Sequence, residues 1–287
     1  MLNLIIINLV IGFVALAGAS LFDIKTREVP DWLNYGLIAF AIGSSLILSI
    51  FHGYYHIIIN TFIGLGIGLV IGLLMFYTGQ WGGGDSKLII GLSALIGFSI
   101  SDLGSGFPAL VLFFINILLI GAVYGLLFSF VKALIYFKDF KQEFEKKMRT
   151  KQILVIRIII LVIGIGAFIF FLSTKSIESI ILFSFIIALF IFLYIWAFVS
   201  CVEKISMIRK IKVKDLTEGD WIVKDVVKKN KVILKPVRTG ITLKQIALLK
   251  KHRIRQVTVK IGVPFVPSFL IAYVLTFLLG NWLIYII

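Results

Sequence analysis

Eight apolar runs, at roughly 2–22, 33–51, 57–78, 88–100, 107–131, 153–172, 178–201 and 264–287, organise this chain of 287 residues. An α-helix rises 1.5 Å per residue, so about 20 residues cross the hydrocarbon of a bilayer, and most of the runs approach that length. Hydrophobic residues make up 60% of the chain and charged ones 15%, well outside the range of soluble globular domains. Inside lipid every backbone polar group must find its partner within the protein, which leaves helices or closed barrels. Runs this long predict an all-α polytopic membrane protein with about eight transmembrane helices. The first run lacks a basic leader and ends in Asp23 rather than at a small-residue cleavage site, so it reads as a retained helix and not a signal peptide.

Lysine and arginine outnumber the acids 29 to 14. With the N-terminus outside, the segments 23–32, 79–87, 132–152 and 202–263 share one side and hold 28 of the 29 basic residues, counting Arg157 just within a helix. Only Lys175 remains opposite. The positive-inside rule then predicts N-out and C-out topology in the cytoplasmic membrane, with the basic loops in the cytoplasm. Topology and attraction to anionic membrane lipids account for the charge, so no nucleic-acid partner is expected. The single cysteine, Cys201, excludes an internal disulfide and a cysteine-cluster metal site. His52 and His56 have the spacing of a helical metal pair but flank Gly53 in a short external loop, and they read as interfacial histidines. No metal or cofactor is expected.

Along the chain, the pattern divides into a membrane core at 1–131, a basic cytoplasmic link at 132–152, two further helices at 153–201, a polar segment at 203–262 and a last helix at 263–287. Glycines 64, 66, 68 and 72, with 121 and 125, offer small surfaces for close helix packing. The run Leu88 to Ile100, ending before Ser101-Asp102, is only thirteen residues. Its helix is expected to start below the cytoplasmic surface and to draw the glycines before it inward. In the polar segment, 221–227 and 232–234 read as strands around the turn Lys229-Asn230-Lys231, Thr242 with Gln245 as a capping box, and 256–260 as a third strand. These predict a small cytoplasmic α+β domain that docks or steadies the core. Pro264 and Pro267 fit the start of the last helix, where missing N–H groups do no harm; alternatively, this stretch lines a site and holds a substrate backbone.

Two carboxylates stand where hydrocarbon ends. Asp23 closes the first run, and Asp85 follows Trp81-Gly82-Gly83-Gly84 at the third cytoplasmic border. An ionisable group there costs several kcal/mol unless compensated, which makes each a functional candidate. A helix cap is the competing reading for each, and the expected one for Asp31. Two close carboxylates cannot both ionise readily, so one takes a proton from water while the other donates one to a carbonyl oxygen. Glycines before Asp85 permit close backbone approach. Lys87 either favours an ionised Asp85 or reaches for lipid headgroups.

Asp23-Ile24-Lys25-Thr26-Arg27-Glu28-Val29-Pro30 and Gly82-Gly83-Gly84-Asp85-Ser86-Lys87-Leu88 resemble the two catalytic regions of the Gly-x-Gly-Asp membrane aspartyl peptidases. Within these, the chain is most similar to the archaeal prepilin and preflagellin (archaellin) peptidases. The ending Pro264-Phe265-Val266-Pro267-Ser268-Phe269 also looks like the archaeal C-terminal region. The resemblance implies that Asp23 and Asp85 are the catalytic pair, that Gly82 and Gly84 shape the second acid's turn, and that Lys87, Pro264 and Pro267 help shape the site. It implies removal of a short charged leader from pilin-like or archaellin precursors, beside the substrate's apolar helix. Bacterial relatives often carry paired cysteines and methylate the new N-terminus; with one cysteine here, peptidase activity alone is expected. Two alternatives are a presenilin- or signal-peptide-peptidase-like protease, whose acids lie on consecutive helices, and an ion- or proton-coupled transporter. A non-catalytic scaffold is a third.

Overall fold

The computed structural model describes residues 2–101, 106–228, 231–237 and 239–285. Asp102 and the tip Lys229-Asn230 of the expected turn lie outside them. Among the described residues ten α-helices run in order: α1 (Leu2–Thr26), α2 (Asp31–His52), α3 (His56–Tyr77), α4 (Gly83–Ile96), α5 (Ala109–Ile135), α6 (Phe137–Met148), α7 (Lys151–Thr174), α8 (Ile177–Val202), α9 (Leu243–Lys251) and α10 (Val266–Leu279). Six of them, α1, α2, α3, α5, α7 and α8, are long and apolar enough to cross a membrane. The other two apolar runs give α4 and α10, each of 14 residues. At 1.5 Å per residue these reach about 21 Å, short of a full span. The protein is thus a helical polytopic membrane protein with, among the described residues, six helices of spanning length and two short apolar ones.

Local chemistry sets the helix ends. Gly53 takes the left-handed conformation at φ 69° and closes α2, its N–H returning to the Ser49 carbonyl. Ser176 caps α8 by accepting from the Ser179 N–H at 3.3 Å. Pro30, not Asp31, occupies the cap position of α2 and makes no side-chain cap; Asp31 lies in the first turn instead.

Residues 1–125 and 210–287 make one compact unit. At its heart lies the part of α4 beyond Lys87, almost wholly apolar and buried accordingly. Leu88, Ile89 and Leu92 are fully enclosed, and Leu16 of α1, Leu33 and Leu37 of α2, Phe113 of α5, and Val266 and Phe269 of α10 share their cluster. Close approach of α3 depends on the glycine stripe: a Cβ on Gly64 would lie 2.3 Å from the Ser93 carbonyl oxygen, and one on Gly68 would lie 2.5 Å from Ser93 Cβ. Gly121 of α5 makes room for the Phe265 ring in the same way.

The polar segment of this unit is a small α+β fold. Its strands are β1 (Ile208–Lys212), β2 (Trp221–Ile222), β3 (Val226–Lys228), β4 (Lys231–Leu234) and β5 (Gln256–Lys260). One sheet has the order β1-β5-β2 and the other is the antiparallel pair β3-β4. The single strand expected at 221–227 is therefore two: Trp221 pairs with Lys260 in the first sheet, and Val227 with Val232 in the second. The capping box forms, with Thr242 N–H donating to Gln245 Oε1 at 2.9 Å and Gln245 N–H to Thr242 Oγ1 at 3.4 Å. Leu249, Val257 and Val259 fill a separate core beneath α9.

Residues 126–209 form the second unit. Helix α6 places Phe140 against Phe144 and Phe198, with ring centres 5.5 and 5.3 Å apart. Lys147 lies over the Trp196 ring at 4.2 Å, and Lys204 pairs with Glu143. Between α7 and α8 an open groove of about 310 Å³ is lined by Ile160, Gly164, Phe168 and Phe183 among other apolar side chains. Its walls carry no group with chemistry.

Candidate active site

Asp23 lies in the last turn of α1 with 4% of its surface exposed. Its Oδ2 accepts a hydrogen bond of 2.9 Å from the Val266 N–H. The reason is local to α10. The first N–H groups of a helix have no partner within it, and Val266 is the first residue of α10, so its N–H points outward and a carboxylate is a natural acceptor. Pro267 occupies the next position, where it has no N–H to leave unpaired. Pro264 is buried just before this turn.

The chain after Asp23 turns sharply. Arg27 adopts a left-handed conformation at φ 62° while its N–H closes on the Asp23 carbonyl at 3.0 Å. Its guanidinium reaches across to donate to the Gly262 carbonyl. The end of α1 and the residue that follows it therefore grip the approach to α10 at two points, Asp23 on Val266 and Arg27 on Gly262.

Asp85 lies in the first turn of α4, half-buried. Gly82, in extended conformation, precedes the helix and donates its N–H to Asp85 Oδ2 at 3.3 Å, while the Ser86 N–H returns to the Gly82 carbonyl at 3.1 Å. This contact engages Oδ2 and fixes the direction of the carboxylate. The charge of Asp23 reaches Asp85.

Of the three glycines, one has a steric requirement. A Cβ on Gly84 would lie 3.1 Å from Val29 N and 3.3 Å from Val29 Cβ. Val29 belongs to the link that leads from Asp23 into α2, so Gly84 is where the two acid-bearing segments meet backbone to backbone. A Cβ on Gly82 or Gly83 would meet only ordinary contacts at 3.5 and 3.6 Å. Asn34 of α2, wholly buried, ties the same junction by donating from Nδ2 to the Gly84 carbonyl at 3.4 Å.

Lys87 goes elsewhere. Its Nζ pairs with Asp31 Oδ1 at 2.6 Å and lies over the Tyr35 ring at 5.3 Å, on a surface where Asp31 is 61% exposed. His52 ends α2, His56 begins α3, and Tyr54 stands between their rings. Three contributors to the site carried little signal in the sequence: the Val266 N–H, the Asn34 amide, and Tyr124 of α5, which the charges of Asp23 and Arg27 reach. Only the two prolines hinted at the first, by marking a helix start.

Fold and site together define a polytopic membrane protein holding two acids near each other at helix ends. Residues 10–126 match the type IV leader peptidase family, so both acid-bearing segments fall inside the match. A preflagellin peptidase of Methanocaldococcus jannaschii is 36% identical over 90 residues, which is 31% of this chain and 38% of that protein. Preflagellin peptidases of Methanococcus maripaludis and Methanococcus voltae are each 38% identical, over 90 and 86 residues, covering 31% and 30% of this chain and 39% and 36% of theirs. The resemblance read from the sequence to prepilin and preflagellin peptidases is thereby supported over this stretch. The chain spans less than two fifths of the length of each of these relatives. No solved structure matches it.

Proposed function

We propose that this protein is a membrane-embedded aspartyl endopeptidase that removes a short charged leader from archaellin or pilin-like precursors at the cytoplasmic border of the membrane. The observation that carries the reading is the close approach of the two acid-bearing segments at Gly84 and Val29, with the charge of Asp23, at the end of α1, reaching Asp85 in the first turn of α4. Two acids so placed share one proton. The ionised one takes a proton from a water molecule, whose oxygen attacks the scissile carbonyl carbon. The protonated one gives its proton to the carbonyl oxygen, and return of a proton to the leaving nitrogen completes cleavage.

Substrate geometry suits the placement. The apolar helix of a precursor packs in the bilayer beside the spanning helices, while its charged leader stays at the aqueous border with the scissile bond near the acids. Residues 261–265 have no regular secondary structure and lead directly to the Asp23 contact at Val266, which supports reading Pro264 and Pro267 as residues that shape the site. Gly82 and Gly84 shape the turn that presents Asp85. The basic loops, the small α+β fold and the active site then face the cytoplasm, where anionic headgroups receive the positive charge.

The test is direct. Purified protein is incubated with precursors carrying their leaders and with a leaderless transmembrane helix, and new N-termini are located by mass. A single cut at the leader junction supports the proposal. Cutting within the leaderless helix, or ion flux in proteoliposomes with no cleavage, would replace it with a rival.

A further inference from the structure

Both acid-bearing segments touch the first turn of α10, although that turn lies about 140 residues beyond the stretch matched by the family. On one side, Val266 N–H holds Asp23 at 2.9 Å and Arg27 holds the Gly262 carbonyl. On the other side, Trp81, the residue before Gly82, meets the Phe269 ring edge-on with centres 5.2 Å apart. Phe265 braces Phe269 at 5.4 Å and is itself seated against Gly121 and Tyr124 of α5. Val266 and Phe269 are fully buried, so the turn cannot shift without disturbing the core. We infer that this first turn of α10 is a positioning element that sets the separation of the two carboxylates, with Arg27 as its latch. The inference rests on the aspartyl-pair reading and deepens it: Asp23 is fixed through a backbone hydrogen bond, Asp85 through the packing of Trp81, and one rigid turn references both.

Rate depends steeply on such a separation, because a displacement of about 1 Å at reacting groups lowers a rate up to a hundredfold. Acid separation also has its own signature. Two interacting carboxylates titrate in two macroscopic steps whose spacing shrinks as the pair is pulled apart. The groups that share the acids' surroundings are Arg27 just after α1, Tyr124 on α5 and, farther out on α2, Asp31 already paired with Lys87; on α10, Tyr273 turns away to donate to the Leu9 carbonyl.

The experiment uses full-length protein in detergent with an archaellin precursor as probe. Phe269→Ala and Arg27→Met are each expected to lower kcat about tenfold, to leave KM within about twofold, and to bring the two limbs of the kcat–pH profile closer together. Arg27→Lys, which keeps a donor, restores most of the rate. Wild-type kcat in both variants, a change in KM alone, or lost rate with unaltered limb spacing would overturn the inference. Arg27 is exposed, so its variants decide the matter even if Phe269→Ala does not insert. Should Asp23→Ala still cleave, the pair itself is refuted; should it be inactive while Arg27→Met and Phe269→Ala behave as wild type, only the positioning role falls.

Discussion

Replacing Gly84 with alanine tests whether the two acid-bearing segments are held together at that residue. Gly84 lies in the first turn of α4, where alanine favours the helix over glycine by about 1 kcal/mol, so propensity alone predicts a more stable protein. Packing predicts the reverse. The new Cβ would stand 3.1 Å from Val29 N, 3.3 Å from Val29 Cβ and 3.4 Å from Val29 O, all inside the usual 3.5–4.0 Å of relaxed contact. Val29 is 6% exposed and has little room to retreat. An inserted methyl in a packed interior costs about 1–3 kcal/mol, which outweighs the helical gain. The strain falls on the link from Asp23, so the acids shift by a few tenths of an ångström and kcat falls about tenfold. The assay is precursor cleavage alongside a thermal melt, with Gly82→Ala and Gly83→Ala as internal comparisons. Their added Cβ atoms meet ordinary contacts, so both are expected within a few-fold of wild type. Equal rates and equal melting for all three alanine variants would refute the reasoning.

Two further outcomes are expected. Thr242→Ala removes half of the capping box that opens α9 and lowers local stability by about 1 kcal/mol, seen as faster hydrogen exchange at 243–251 with cleavage unchanged. Lys87→Ala breaks an exposed pair with Asp31 and costs under about 1 kcal/mol in a thermal melt, whereas a Lys87 that supported a buried carboxylate would cost several times more.

Much of this architecture was written in periodicity and composition. Long apolar runs became α1, α2, α3, α5, α7 and α8 within a few residues of their expected limits, because lipid leaves so few alternatives to a helix. What hydropathy could not measure was reach. The run at 264–287 gives α10 of only 14 residues, since Gly280 ends the helix, and a run of apolar letters does not reveal where such a break falls. The run at 88–100 was short by inspection, and α4 begins at Gly83, five residues ahead of it, so that the glycine segment enters the helix.

The candidate site drew notice for a different reason. Asp23 and Asp85 stood out because a carboxylate at the edge of hydrocarbon is costly, and that cost is visible in a sequence. Their surroundings were not, because they depend on contacts between residues far apart in the chain. The Val266 N–H has no side-chain signature, Asn34 looked like any polar residue near a helix start, and Tyr124 was one aromatic among many in α5. For Lys87 the sequence left two readings, support of Asp85 or reach toward headgroups, and on a helix neighbours two apart face different directions. Its partner is Asp31. The expected strand at 221–227 failed similarly: alternation identified extended backbone, but its division between two sheets follows from β5, more than thirty residues later.

Single-turnover cleavage of an archaellin precursor by Asp23→Ala and by Asp85→Ala, each first shown to be membrane-inserted and to melt like the parent, tests the central claim most directly. The account predicts that the parent releases a leader and a new N-terminus whose masses sum to the precursor plus one water, and that neither variant releases any. Complete processing by either variant would contradict it.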